Sequence, residues 1–254
     1  MTAGAPRQRS RTLRVALLLL MLTACVAFVG LGAWQLQRLQ WKLALIERVT
    51  QRVNAAPVAA PGPEDWARIT AASDEYRRVR ATGTLLPAQG ARVQAVTELG
   101  SGYWLMTPLR TAQGAVIMIN LGFIPAGQSR ESGVPNNAGQ VEITGLLRMS
   151  EPGGGFLRSN DPAADRWYSR DVAALAAARG LSGVAPYFID ADAASAARLP
   201  TVAGPAPVGG LTVISFHNSH LVYAVTWFAL ALMMAGACLW VLRDERRRGA
   251  AAEQ

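Results

Sequence analysis

Two stretches without a single charged residue decide most of what this 254-residue chain can become. Val15–Leu36 and Leu221–Leu242 are each 22 residues long. A helix of about 20 apolar residues crosses the roughly 30 Å of a bilayer's hydrocarbon, so each stretch is long enough to span once. Apolar residues make up 51% of the chain and charged residues 17%. That balance argues against a disordered chain and against a polytopic transporter, whose apolar fraction would be higher. It leaves a soluble region of 176 residues, Gln37–Thr212, between the two spans.

The basic charge follows the same division. Arg7, Arg9, Arg11 and Arg14 precede the first span, and Arg243, Arg246, Arg247 and Arg248 follow the second. The two tails carry +5 of the net +8. Arginine on the terminal side of each span places both termini in the cytoplasm and the middle across the membrane, in a bacterial periplasm or its equivalent. The first span alone is equivocal, because Arg38, Lys42 and Arg48 follow it. A nucleic-acid binder would concentrate basic charge on a folded domain, so no nucleic-acid partner is expected. The expected organisation is a basic tail (1–14), a transmembrane helix (15–36), an extracytoplasmic domain with helical entry and linkers (37–212), an interface segment with a second transmembrane helix (213–242) and a tail (243–254). The expected location is the bacterial inner membrane.

The run Leu22-Thr23-Ala24-Cys25 behind an arginine-rich start also matches a lipoprotein signal with Cys25 lipidated. Such signals turn polar after the cysteine, whereas Val26–Trp34 stays apolar and the whole run is too long for a signal core. An uncleaved anchor is the better reading. Cys25 lies about 15 Å from the start of its span and Cys238 about 6 Å from the end of the other, at the helical rise. That mismatch exceeds the reach of a disulfide. The region between the spans has no cysteine, hence no CxxC motif and no thiolate site.

The first helix is expected to continue to about Val53, since no breaker intervenes before Pro57, Pro61, Gly62 and Pro63. Tyr76–Leu86, Ala91–Thr97, Tyr103–Leu109, Ala115–Asn120, Val141–Met149 and Tyr187–Asp190 read as strands. On the first of these, Val79, Ala81 and Gly83 share a face. Asp171–Arg179 reads as a helix closed by Gly180. The expected fold class is therefore a membrane protein of α+β type, with two transmembrane helices flanking a β-rich domain, either an antiparallel sheet or a small barrel.

No catalytic constellation stands out. G-x-S-x-G, a Walker loop and H-E-x-x-H are all missing. Gly153-Gly154-Gly155 lacks the helix and lysine of a phosphate loop and reads as a turn. Asp190 and Asp192 read as solvated loop carboxylates. The two histidines, His217 and His220, both fall at the outer edge of the second span. On a helix His220, Tyr223, Ala224 and Trp227 share one face. A neutral imidazole with aromatic neighbours suits an axial ligand to haem iron. It equally suits an interfacial aromatic belt. His217 is the alternative ligand, about 4.5 Å further out. The first span ends at the same surface with Trp34, Arg38 and Trp41 at i, i+4 and i+7. A guanidinium between two indoles can hold a carboxylate, such as a haem propionate, or an anionic membrane lipid.

These terminal segments resemble a known family. Gly32-Ala33-Trp34-Gln35-Leu36-Gln37-Arg38-Leu39-Gln40-Trp41-Lys42 resembles the G-x-W-Q-x-x-R-x-x-W-K signature of the surfeit locus protein 1 family of cytochrome c oxidase assembly factors. Asn218 to Phe228 resembles its N-x-H-L-x-Y-A-x-T-W-F. Between them Gly83-Thr84 resembles a G-T-F strand start, and Gly102-Tyr103-Trp104 with Thr107-Pro108-Leu109 resembles G-Y-x-x-x-T-P-L. Asn120–Pro125 resembles N-R-G-W-V-P, with Leu121 in place of the arginine and Phe123 in place of the tryptophan. Gly145-Leu146-Leu147-Arg148 with Glu151, and Arg166-Trp167-Tyr168-Ser169-Arg170-Asp171, continue the match. Leu85 stands where the family has the Phe of G-T-F. The resemblance implies a non-enzymatic assembly factor that binds haem a and aids its delivery to subunit I of the oxidase. It implies His220 as the iron's axial ligand, with Tyr223, Trp227, Trp34 and Arg38 around the haem. Partners implied are subunit I, membrane lipid and, further, haem a synthase. The alternative is a haem-free membrane scaffold that steadies an oxidase intermediate.

Overall fold

The computed structural model describes residues 11–127, 139–200, 206–212 and 218–252. The chain divides into two compact units, residues 1–47 with 215–254 and residues 48–214. In order, its main elements are α1 (Arg11–Asn54), β1 (Val58–Ala59), α2 (Ala71–Asp74), β2 (Arg78–Leu85), β3 (Ala91–Thr97), β4 (Gly100–Arg110), β5 (Val116–Pro125), β6 (Gln140–Met149), α3 (Val172–Ala178), β7 (Val184–Ala191), α4 (Ala193–Arg198) and α5 (His220–Ala252).

The first unit is a pair of helices. The segments Thr12–Asn54 and His220–Asp244 are both long and apolar enough to cross a membrane. α1 runs unbroken to Asn54, as the absence of a breaker before Pro57 predicts. Most of each helix surface is exposed. The more buried positions of α1 include Leu18, Met21, Cys25, Phe28, Gly32, Gln35 and Leu39, and those of α5 include His220, Ala224, Trp227, Ala231, Met234 and Cys238. Each set alternates steps of three and four, the seam of two helices packed in coiled-coil fashion. Small residues let the backbones approach. Ala224 and Ala231 are buried, and a Cβ on Gly32 would lie 2.8 Å from the Phe228 ring. Phe28 stacks on Trp227 with centroids 5.7 Å apart.

The second unit is a closed barrel. The ring runs β2–β6–β7–β5–β4 and shuts where Thr84 and Leu85 pair with Arg110 and Leu109. At Gly83 a Cβ would sit 2.3 Å from the Arg110 carbonyl oxygen, so glycine is needed for that closure. β1 and β3 add to the edges of β2 and β4. The sheet is mixed rather than purely antiparallel, because β5 runs parallel to β7 and β1 parallel to β2.

Alternation fills the barrel. Val79, Ala81, Leu85, Ile117, Ile119, Leu121, Ile143, Leu147, Tyr187 and Ile189 form its interior. On the outer face of β5 and β7, Met118 and Phe188 pack with Trp167, Val172 and Leu175 of α3 and the loop before it. β5 is thus buried on both faces, which explains its near-continuous apolar sequence. This corrects the expectation that the strand stops at Asn120 and a loop follows. Pairing continues to Pro125, and Leu121 and Phe123 are fully buried. The two departures from the family pattern therefore repack an interior rather than a surface loop. β3 and α3 fall where expected, with Gly180 in the left-handed region at φ 63°. β1, α2 and α4 are too short to leave a periodic signal.

Candidate functional site

Two clusters of polar and aromatic side chains collect the motif residues, one in each unit.

The first lies at the start of α5. His220 is the first residue of that helix, and its backbone N–H donates to Asn218 Oδ1 at 3.3 Å. The Asn thus makes an Asx-type turn ahead of the helix, whose first intrahelical bond runs from Tyr223 N–H to the Ser219 carbonyl. Its imidazole Nδ1 lies 2.8 Å from Oε1 of Gln35 on α1. Nε2 has no hydrogen-bond partner among the described residues. Trp227, two turns along α5, is half-buried against Phe28, whereas Tyr223 is 53% exposed on the flank of the pair. The expected common face of His220, Tyr223, Ala224 and Trp227 thus divides into a seam side and an outer side. His217 lies outside the described residues.

On the outward face of α1 the guanidinium of Arg38 sits between two indoles, 5.9 Å from the Trp34 ring centre and 5.3 Å from that of Trp41. Trp34, Arg38 and Trp41 are all exposed. Helical spacing brings these three together as expected. Gln35, one residue along from Trp34, belongs to the seam instead. Its pairing with His220 was not foreseen, because a lone Gln in a membrane helix gives no hint of a partner 185 residues away. Its place in the motif, flanked by Gly32 and Arg38, was the available signal.

The second cluster sits in the barrel unit around Asp190, whose side chain is 4% exposed. This overturns the reading of Asp190 as a solvated loop carboxylate, whereas the Asp192 side chain stays 30% exposed in the turn before α4. Asp190 ends the apolar run of β7 and accepts from Asn120 Nδ2 (2.8 Å), Arg148 Nη1 (3.1 Å), Arg170 Nη1 (3.1 Å) and Thr212 Oγ1 (2.9 Å). Asp192 caps α4 by accepting from Ser195 N at 2.7 Å. Arg148 also donates to Glu75 Oε1 (2.7 Å), and Arg170 to Glu151 Oε2 (3.0 Å). The guanidinium of Arg170 lies 4.7 Å from the Phe188 ring centre, and that of Arg148 lies 4.9 Å from that of Tyr76. Burial opposes the charge on Glu151, but Arg170 and Arg148 outweigh it and hold its carboxyl below its ordinary value of 4.5. A cavity of about 240 Å³ borders the cluster, walled by Val96, Trp104, Val208 and the two arginines.

The barrel cluster is closed on itself, since every charge faces an opposite one. No group of three or more potential metal-ligating side chains occurs among the described residues. The helix-pair cluster instead presents an imidazole nitrogen and a guanidinium with no acidic partner among the described residues. The chain therefore combines a closed β-barrel unit with two helices long and apolar enough to span a membrane. The SURF1 family model matches residues 22–232. The chain is 32% identical to mouse (Mus musculus) surfeit locus protein 1 over 97% of its length and 80% of the relative's. It is 34% identical to the human protein of that name, covering 87% and 75% respectively. It is 35% identical to a SURF1-like protein of Monosiga brevicollis, covering 90% and 87%. The chain belongs to the SURF1 family.

Proposed function

We propose that this protein is a non-enzymatic assembly factor of haem-copper cytochrome c oxidase that binds haem a through His220 and aids its transfer to subunit I. The observation that carries this reading is the imidazole at the start of α5, with Nδ1 engaged by Gln35 and Nε2 free of described partners. The donor set fits the group. Haem iron takes an imidazole nitrogen as axial base, and Tyr223 and Trp227 offer apolar and aromatic surface along the same helix. Arg38 carries a cation that suits a propionate. Bound haem would supply an iron centre of defined spectrum; the protein's part is to present the base, shield one face and release the cargo.

The arginine tails support an orientation with both termini in the cytoplasm of a bacterium and the barrel in the periplasm, where subunit I and haem a synthase share the inner membrane with it. The test is co-production with the enzymes of haem a synthesis. Purified protein with a haem a spectrum is the expected result. A colourless protein that still co-purifies with subunit I would replace haem delivery by a scaffold role.

A further inference from the structure

We propose that Gln35 is a positioning residue that holds the His220 ring as the Nδ1–H tautomer and thereby keeps the Nε2 lone pair exposed for a metal. The proposal deepens the haem reading above and rests on it for its purpose, though its first half concerns His220 alone. The amide oxygen of Gln35 carries lone pairs and no proton, and it lies 2.8 Å from Nδ1. A hydrogen bond across that gap requires the proton on Nδ1. The partner of one ring nitrogen decides the state of the other, so Nε2 is left as the base.

Three features make this more than a chance contact. The backbone N–H of His220 is tied to Asn218 Oδ1 at the helix start. The Phe228 ring of α5 packs over Gly32 one turn away, where a Cβ would meet it at 2.8 Å. A carboxamide is also neutral. It accepts from Nδ1–H without placing a charge beside the ring. Gln35 thus supplies the outer-shell hydrogen bond that metal-bound histidines commonly have. The competing role is mechanical, an interhelical hydrogen bond that joins two membrane helices.

The experiment uses the full chain in lipid nanodiscs with ¹⁵N-labelled histidine, the His220 signals being those lost in His220→Ala. The metal-free wild type is expected to show the proton on Nδ1. Gln35→Leu, which keeps the size but removes the acceptor, is expected to move it to Nε2. Gln35→Glu is expected to keep it on Nδ1. Titration of the same samples with ferric haem is expected to weaken about tenfold in Gln35→Leu. In Gln35→Glu binding is expected to persist with a lowered reduction potential, because a carboxylate raises the basicity of the ring. A contact that joins the helices without setting the ring would leave the tautomer unmoved in Gln35→Leu and the potential unmoved in Gln35→Glu. An Nε2–H ring in the wild type, or the same tautomer in Gln35→Leu, overturns the proposal. Ferric haem binding that is unchanged in His220→Ala refutes the haem reading instead, and the ¹⁵N spectra still decide whether Gln35 sets the ring.

Discussion

The Asp190 cluster and the His220 cluster are built from the same kinds of side chain, yet they are opposites in how those groups are satisfied. In the barrel, Asn120, Arg148, Arg170 and Thr212 converge on one carboxylate, and Glu75 and Glu151 take the remaining guanidinium donors. On the helix pair, one ring nitrogen is engaged and the other is not, and Arg38 rests on indoles rather than on acids. Motif residues therefore fall into two groups. Those that close a network hold the barrel together; those that leave a donor or acceptor open are suited to a visitor.

The sharpest way to break this division is Asp190→Ala. It removes the carboxylate that Arg148, Arg170, Asn120 and Thr212 share and leaves each arginine only its glutamate; breaking a largely buried pair typically costs about 3–5 kcal/mol. Chemical unfolding of the barrel should show a loss of that size, with haem binding affected only as far as folding is. A mild effect would mean that the cluster is open after all. Gly32→Val comes next. Its side chain collides with the Phe228 ring, and overpacking of that kind costs about 1–3 kcal/mol. Adding Phe228→Ala should recover part of the loss in a double-mutant cycle of detergent unfolding.

Acid should weaken the barrel. The Glu151 carboxyl is held below its ordinary value in the folded state. Its contribution is therefore complete above pH 4.5 and is lost as the pH falls through the lower folded value. Unfolding midpoints that drop below pH 4.5 in the wild type, with a shallower drop in Glu151→Gln, are the expected pattern. The smallest effect is expected from Arg38→Ala, since an exposed cation–π contact is worth about 0.5–1 kcal/mol. Vesicle binding or haem affinity should change a few-fold at most, with the barrel's stability untouched.

The architecture was largely legible in the sequence because its signals are local. Uncharged 22-residue runs, the breaker-free stretch to Asn54, and the alternation of Val79, Ala81 and Gly83 each act within one element. What was hidden is pairing over distance. Asp190 reads as a loop acid until Asn120, 70 residues earlier, is placed beside it. Asn120–Pro125 reads as a loop because its glycine and proline mask a strand buried on both faces. At the helix pair, spacing was enough to unite Trp34, Arg38 and Trp41 along one helix. It could not reveal Gln35 opposite His220, since which faces of two separate helices meet is set by the seam that Gly32, Ala224 and Ala231 define.

The proposed haem role lies on the helix pair, and the barrel network serves stability. The most direct measurement is the haem a content of protein co-produced with haem a synthesis enzymes, compared between His220→Ala and the milder barrel variant Asp190→Asn, each recovered folded. Loss of the haem a spectrum in His220→Ala, with the spectrum and stoichiometry of the wild type in Asp190→Asn, is the predicted result. An unchanged spectrum in His220→Ala, or its selective loss in folded Asp190→Asn, would contradict the account.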